Sequence, residues 1–151
     1  MTTHWTGPLV SENGFKVGNQ TTSYDLTDNV ANKSTSTITV GTEASTVINV
    51  AVQFNDAKGD ALTEPWAGNI YFSDDAAGQT LATTAIDTVA VGTDGTVIKE
   101  VTAGKHYYVV SEADGDLDLN LTQNAADTLY MQVVMPDGRL KASAVITWAG
   151  P

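Results

Sequence analysis

One run, Thr46–Phe54, constrains the fold of this chain more than any other stretch. Its sequence is TVINVAVQF, and large apolar residues occupy every second position, Ile48, Val50, Val52 and Phe54. Side chains of an extended chain point alternately to opposite faces, so this period-two pattern with β-branched residues predicts a half-buried strand. The residues between them are predicted to face the other side of the sheet.

Short runs of the same kind recur between residues 37 and 148, separated by turns rich in Gly and Asp. Gly92–Gly95 and Pro136–Gly138 have the composition of tight turns, since glycine accepts the positive φ that such turns need. Residues 61–66 contain a proline and are predicted to be an edge or a loop, and residues 76–85 a loop. The other predicted strands are 37–40, 69–73, 86–91, 96–102, 105–111, 117–122, 128–135 and 139–148.

This pattern of about eight or nine short strands, with turn signals roughly every ten residues and no convincing helix, is typical of an antiparallel β-sandwich. A jelly roll or a partly closed barrel is the alternative. The chain has 151 residues, which suits one all-β domain, residues 36–151, with an appended N-terminal arm.

Residues 1–35 form the predicted arm and differ in composition from the rest. They are rich in Thr, Ser, Asn, Asp and Gly, with isolated large residues and no helical or strand period. Such a segment cannot bury its own apolar groups. Two interpretations stay open: a disordered tail, or an extended arm that orders by placing its apolar side chains into grooves on a neighbour.

Charge and cysteine content exclude several classes of function. The chain has 18 acidic and 7 basic side chains and a net charge of -11, which disfavours binding to nucleic acid or to anionic lipid. It contains no cysteine, so disulfides, thiolate metal sites and cysteine nucleophiles are excluded. The N-terminus lacks the pattern of a signal peptide, and no apolar run is long enough to span a membrane.

The acidic segment Glu112–Asn120 is the most conspicuous candidate for a ligand site. Its oxygen ligands suggest Ca²⁺, but the spacing is not that of a calcium loop. The favoured prediction is a strand with Leu117, Leu119 and Leu121 inward and its acidic side chains in water.

The other candidates for chemistry are weaker, and we predict no catalytic, cofactor or metal site and a non-enzymatic protein. Asp74, Asp75 and Asp87 suggest an acid–base pair of a glycosidase, but chance pairing is expected in so acidic a chain. His106 is predicted to be a boundary histidine with a hydrogen-bond partner. A sugar-stacking surface is conceivable, although core packing explains most of its aromatic residues, which are Trp66, Tyr71, Tyr107, Tyr108 and Trp148.

Several segments resemble structural proteins of tailed-bacteriophage virions. The opening HWTGPLV at residues 4–10 and ENGF at 12–15 resemble the start of small virion proteins. The segments that resemble β-rich domains of phage structural proteins are YFSDDAA at 71–77, VGTDG at 91–95, VSEADGD at 110–116 and MPDGRL at 135–140.

The resemblance implies a head decoration, or capsid cement, protein with an immunoglobulin-like β domain exposed on the outer capsid surface, made in the host cytoplasm. The arm would bind the major capsid protein, a homo-oligomer on the capsid is left open as a second partner, and no catalytic residues are implied. The arm residues that we expect to contact the capsid are His4, Trp5, Pro8, Leu9, Val10, Phe15, Val17 and Tyr24.

Two alternative functions remain at this stage. The first is another virion role, in the tail, the neck or a head fibre, where similar sandwich domains occur. The second is a carbohydrate-binding or hydrolytic β-sandwich, which predicts a concave aromatic patch with carboxylates. A sandwich fold by itself does not choose among these functions.

Overall fold

In the computed structural model, two antiparallel sheets pack face to face and form a β-sandwich, as the sequence pattern predicts. The structure describes residues 35–56 and 59–150. The strands, in chain order, are β1 (Thr35–Val40), β2 (Val47–Asn55), β3 (Ala67–Ser73), β4 (Thr88–Val91), β5 (Thr96–Thr102), β6 (His106–Val110), β7 (Asp116–Thr122), β8 (Asp127–Val134), β9 (Leu140–Ala142) and β10 (Ile146–Trp148).

The strand order is that of an immunoglobulin-like sandwich. One sheet has the order β1-β2-β7-β4, and the other has the order β10-β8-β3-β6-β5, with β9 also paired to β8. The first order corresponds to strands A-B-E-D of the constant-type immunoglobulin fold, and β10-β8-β3 corresponds to G-F-C. The hairpin β5–β6 is an insertion between D and E that extends the second sheet beside β3.

The core lies between the sheets, where the period-two pattern predicts it. In β2 the side chains of Ile48, Val50, Val52 and Phe54 are buried, and β7 contributes three leucines from the neighbouring strand. Trp66 lies across one end of the core and stacks on Phe54, with ring centroids 4.0 Å apart. At about 25 cal/mol per Å² of apolar surface, such burial is the main stabilising contribution to the domain.

The last predicted strand, 139–148, is divided into β9 and β10 in the structure. Gln132 pairs with Ala142, whereas Leu129 pairs with Ile146, so the outer strand carries one extra residue between these points. Ser143 occupies this bulge: its amide donates to the carbonyl of Met131, and its hydroxyl accepts from the Met131 amide. A bulge of this kind bends an edge strand without a proline or glycine to mark it.

The boundary of β4 differs from the prediction, whereas the loop at residues 61–66 agrees with it. Strand β4 begins at Thr88 and not at residue 86, because the amides of Ile86 and Asp87 are bonded to Gly104 and to the Gln123 side chain. Residues 61–66 form a loop, with one isolated bridge between Asn55 and Ala61, which agrees with the predicted edge or loop.

No helix in the described ranges is long and apolar enough to cross a membrane.

Candidate functional site

The predicted capsid-contacting residues lie outside the described part of the chain, so their contacts stay a prediction. These are His4, Trp5, Pro8, Leu9, Val10, Phe15, Val17 and Tyr24. The structure does show where the predicted arm joins the domain, because Thr35 is the first residue of β1.

A small recess lies beside the start of β1. It has a volume of about 150 Å³ and is lined by residues of β1 and of the β8–β9 hairpin. The Ser36 hydroxyl points to the sulfur of Met135, at 3.7 Å, and links the two sheets there. Leu140 is 43% exposed at the rim, between the cationic side chains of Arg139 and Lys141. The junction with residues 1–34 therefore combines apolar and basic groups on a protein that is otherwise acidic.

Strand β1 is the outer strand of its sheet and pairs with β2 in one unbroken register from Thr35 to Val40. The Gly41 amide donates to the Asn49 carbonyl in this register, so the odd-numbered residues of β1 direct their backbone groups to β2. The amides and carbonyls of Ser36, Ile38 and Val40 consequently point away from the sheet. Within the described ranges no donor or acceptor lies against them.

The outer face of this sheet has a neutral half and an acidic half. The neutral half consists of β1, TSTITV, and β2, VINVAVQFN, which contain no charged residue. The acidic half consists of β7 and the adjoining loop residues, and its carboxylates are those of Asp94, Asp114, Asp116 and Asp118. Asn49 and Asn120 join the two halves through a side-chain hydrogen bond of 3.0 Å.

The acidic segment Glu112–Asn120 folds as predicted, with its three leucines fully buried and its polar side chains on the outer face. Partial burial, and then the carboxylates of Asp114, Asp94 and Asp118, raise the pKa of Asp116. No group of three or more His, Cys, Asp or Glu side chains among the described residues is placed to hold a metal ion. The acidic half is therefore a repulsive surface, with like charges close together.

The three carboxylates considered as a glycosidase pair, those of Asp74, Asp75 and Asp87, stabilise loops by accepting hydrogen bonds. Asp74 accepts the amide and the hydroxyl of Thr83, and these hydrogen bonds lower the pKa of Asp74. Asp75 accepts the Gly78 amide. Asp87 accepts the backbone and side-chain amides of Asn124. Asp74 and Asp75 therefore both stabilise the β3–β4 connection, and Asp87 ties the end of this connection to the β7–β8 loop.

The opposite side of the sandwich, between β4 and β5, opens into a cleft of about 640 Å³. The Tyr107 hydroxyl lies at its base and donates to the carboxylate of Glu100 at 2.8 Å, and the Gly104 amide donates to the same oxygen. Burial, and then the hydrogen bond with Glu100, raise the pKa of Tyr107. Val89 and Val97 line the cleft from the two edge strands.

Strand β5, which forms one rim of this cleft, is an irregular edge. Its pairing with β6 shifts register twice, at Val97/Lys99 and at Glu100/Thr102. The residues skipped by these bulges are Ile98 and Val101, which are 56% and 51% exposed. Bulges and charges on an edge strand hinder pairing with another strand.

The aromatic residues considered for sugar stacking do not share an exposed face. Trp66, Tyr107 and Trp148 are buried in the core, and only Tyr108 of the set is an exposed large side chain. The Tyr71 hydroxyl donates to the carbonyl of Gly78 inside a loop. The concave aromatic patch that the carbohydrate alternative predicts is therefore not present in the described part of the chain.

His106 is a partly buried boundary residue, as predicted. Its Nε2 lies 3.0 Å from the Asn69 Oδ1 on the neighbouring strand, and its ring meets the edge of Tyr71. The sequence did not predict that β1 is a regular edge with no protection from the described residues. Its one signal is the absence of charge from residues 35 to 42, which predicts the start of the sheet but not a surface.

Comparison with known proteins adds little to this geometry. No protein-family model matches the chain, and no curated protein matches it. Among solved structures, it is similar to the cohesin module from Clostridium perfringens ATCC13124 family 33 glycoside hydrolase, with 20% sequence identity, 76% of this chain and 93% of that chain covered, and a TM-score of 0.38. A similarity at this level carries no functional argument, and the fold assignment depends on the strand order.

Proposed function

We propose that this protein is a non-enzymatic structural component of a bacteriophage virion that decorates and stabilises the capsid. Residues 1–35 bind the major capsid protein, and the β-sandwich lies exposed on the outer surface of the head. The observation that carries the proposal is that the described residues form a hydrophobic core of their own, with buried members between Ile48 and Trp148 and with Ile38 and Val40 packed against it. The proposal assigns the apolar side chains of the arm to a partner.

The chemistry of the arm supports this role. Its large side chains are separated by polar residues, which suits docking of an extended chain whose anchors enter separate pockets. Pro8 fixes its own φ and restricts Gly7, so less conformational entropy is lost on docking. A protein that binds only assembled subunits stabilises the shell by linkage, because its binding free energy is gained only in the assembled state.

The charge of the domain also supports an exposed position. The net charge of -11 on the whole chain keeps the protein from adhering to nucleic acid released or packaged nearby, and it keeps free copies soluble. The basic side chains of Arg139 and Lys141 lie at the recess where β1 begins, and Arg139 is ion-paired with Asp137. The amine of Lys141 suits this end of the domain to approach an acidic surface of the capsid.

A truncation tests the proposal. Deleting residues 2–30 is expected to abolish co-sedimentation with capsids that lack this protein, while the β domain keeps its cooperative unfolding transition. The double variant Trp5→Ala/Phe15→Ala should weaken binding by at least tenfold, since each substitution removes a large apolar side chain that the proposal places against the capsid. The matched control is Tyr108→Ala, which removes an exposed aromatic ring from the domain and should bind like the wild type. Full binding by the truncated protein would refute the proposal.

A further inference from the structure

We propose that the outer edge of β1 is a dimerisation site, where a second copy of this chain adds its own β1 as an antiparallel strand. The two copies pair around a two-fold axis at Ile38, and their four-stranded sheets join into one continuous sheet of eight. This inference goes beyond the capsid proposal and does not depend on it. It rests on the backbone geometry, the side-chain pattern and the charge distribution of the edge.

Among the sheet edges in residues 35–56 and 59–150, that of β1 alone lacks a protective device. Strand β4 has 4 residues, and the opposite edge of the second sheet is split into β9 and β10, of 3 residues each. Strand β5 carries two bulges together with Lys99 and Glu100. By contrast, the 6 residues of β1 are in register throughout and contain no charge and no proline. A regular, uncharged edge is the kind that pairs with another strand.

The register identifies the groups that would pair. The outward amides and carbonyls belong to Ser36, Ile38 and Val40, at alternate positions as antiparallel pairing requires. Pairing centred on Ile38 places it opposite Ile38 of the partner subunit, and Ser36 opposite the partner's Val40. This arrangement forms about six hydrogen bonds between the two copies.

The side chains of the edge are self-complementary in the same register. Thr37 is exposed on the outer face and would lie directly opposite the partner's Thr39, a favourable cross-strand pair that occurs twice in the dimer. On the inner face, Ile38 and Val40 are only partly buried against the core. A second copy would cover this apolar rim, with the two Ile38 side chains adjacent.

The charge distribution favours the β1 edge as the contact surface and a second copy of this chain as the partner. Two copies that each carry a net charge of -11 repel one another at most orientations. The neutral half of the outer face, β1 with β2, brings no charged residue to the junction, and the acidic half stays on the far side of each sheet. Because a two-fold contact uses the same surface on both copies, the assembly closes at two.

The dimer would carry its two arms at opposite ends of the junction. The two Thr35 residues would lie about 20 Å apart along the paired strands, at about 3.4 Å per residue. If the arms bind the capsid as proposed above, one dimer reaches two sites, and the second arm binds at a high effective concentration.

Sedimentation equilibrium of the full chain, between about 1 and 100 µM, tests the proposal. The wild type is expected to be a dimer in equilibrium with monomer. In the variant Thr37→Lys/Thr39→Lys, each lysine faces a lysine of the partner, so we expect dimerisation at least about tenfold weaker. The matched control, Thr88→Lys/Ala90→Lys, places two lysines on the exposed face of β4 at the other edge of the same sheet. It should dimerise at least as well as the wild type, since it reduces the net negative charge.

A monomeric wild type at every concentration, a trimer or larger assembly, or a dimer that the β1 lysines leave intact would each overturn the proposal. Loss of the dimer in both variants would also overturn it, because the contact would then not be specific to β1. Amide hydrogen exchange of the wild type gives a readout that needs no substitution. In the dimer, the amides of Ser36, Ile38 and Val40 should be as protected as those of Thr37 and Thr39. Rapid exchange of the first set alone would contradict the pairing.

Discussion

Strand β1 forms one edge of the first sheet, and strand β5 forms one edge of the second. The two edges have opposite character. Strand β1 continues its sheet in perfect register and places Ile38 and Val40 against the core. Strand β5 departs from register twice, and its bulged residues Ile98 and Val101 lie in solvent. One edge is therefore regular and neutral, and the other is irregular and charged.

This difference is the reason for which we propose a partner on the β1 side of the sandwich. An edge that faces only water is expected to be protected by bulges and charges, as β5 is. Strand β1 lacks both, and it is also the strand to which residues 1–34 are joined. The regular edge and the point where the predicted arm joins the domain thus belong to the same strand, at the edge of the first sheet opposite β4.

The largest expected effect on stability comes from replacing an isoleucine by alanine on each of the two edges, Ile38 on β1 and Ile98 on β5. Ile38→Ala should lower the free energy of unfolding by about 2 kcal/mol, because Ile38 packs against the core. Ile98→Ala should change it by about 0.5 kcal/mol or less, because Ile98 is 56% exposed in a bulge. Urea denaturation at a concentration that favours monomer measures both. Equal losses would show that the edges are not different in packing.

The second prediction concerns the hydrogen bond that anchors β5, between Tyr107 and Glu100. Because the pKa of Tyr107 is raised in the folded protein, its contribution to stability is complete below the unfolded value of about 10 and is lost as the pH rises above it. The free energy of unfolding should therefore fall as the pH rises above about 10, and Tyr107→Phe should remove part of this fall. Tyr108→Phe, on the opposite face of β6, is the matched control. A Tyr107→Phe curve that parallels the wild type would contradict the assignment.

The smallest expected effect distinguishes the acidic half of the outer face from the neutral half. The raised pKa of Asp116 means that its ionised form costs stability at neutral pH, and that this cost disappears as the pH falls below about 3.9. Asp116→Asn should therefore stabilise the domain at pH 7, by about 0.5 kcal/mol or less, and the gain should shrink in high salt. Asp60→Asn, in an exposed loop, serves as the control. A loss of stability in Asp116→Asn at low salt would show that repulsion is not its main interaction.

Much of the fold could be predicted because it depends on local patterns. The alternation in β2 and in β7 predicts which side chains are buried, since a strand places every second residue on one face. Turns such as Pro136–Gly138 are recognisable from their residues alone. The sandwich, its core and the orientation of the acidic segment Glu112–Asn120 were predicted for these reasons.

The features that escaped prediction depend on contacts between distant segments. The bulges at Ile98 and Ser143 exist only relative to β6 and β8, so the sequence of one strand does not show them. Asp74 and Asp87 stabilise loops through hydrogen bonds from Thr83 and Asn124, respectively, which only the folded structure brings close to them. The neutral edge of β1 likewise becomes a surface only when the strand order shows that it lies outermost.

The central claim, that the domain decorates a capsid with its arm bound and its sandwich exposed, is tested most directly by immunogold labelling. The antibody should be raised against residues 37–148 and applied to purified virus particles. We expect gold spread evenly over the head. Gold confined to the tail or neck would contradict head decoration and favour another virion role, and particles without any gold would contradict a place on the virion surface altogether.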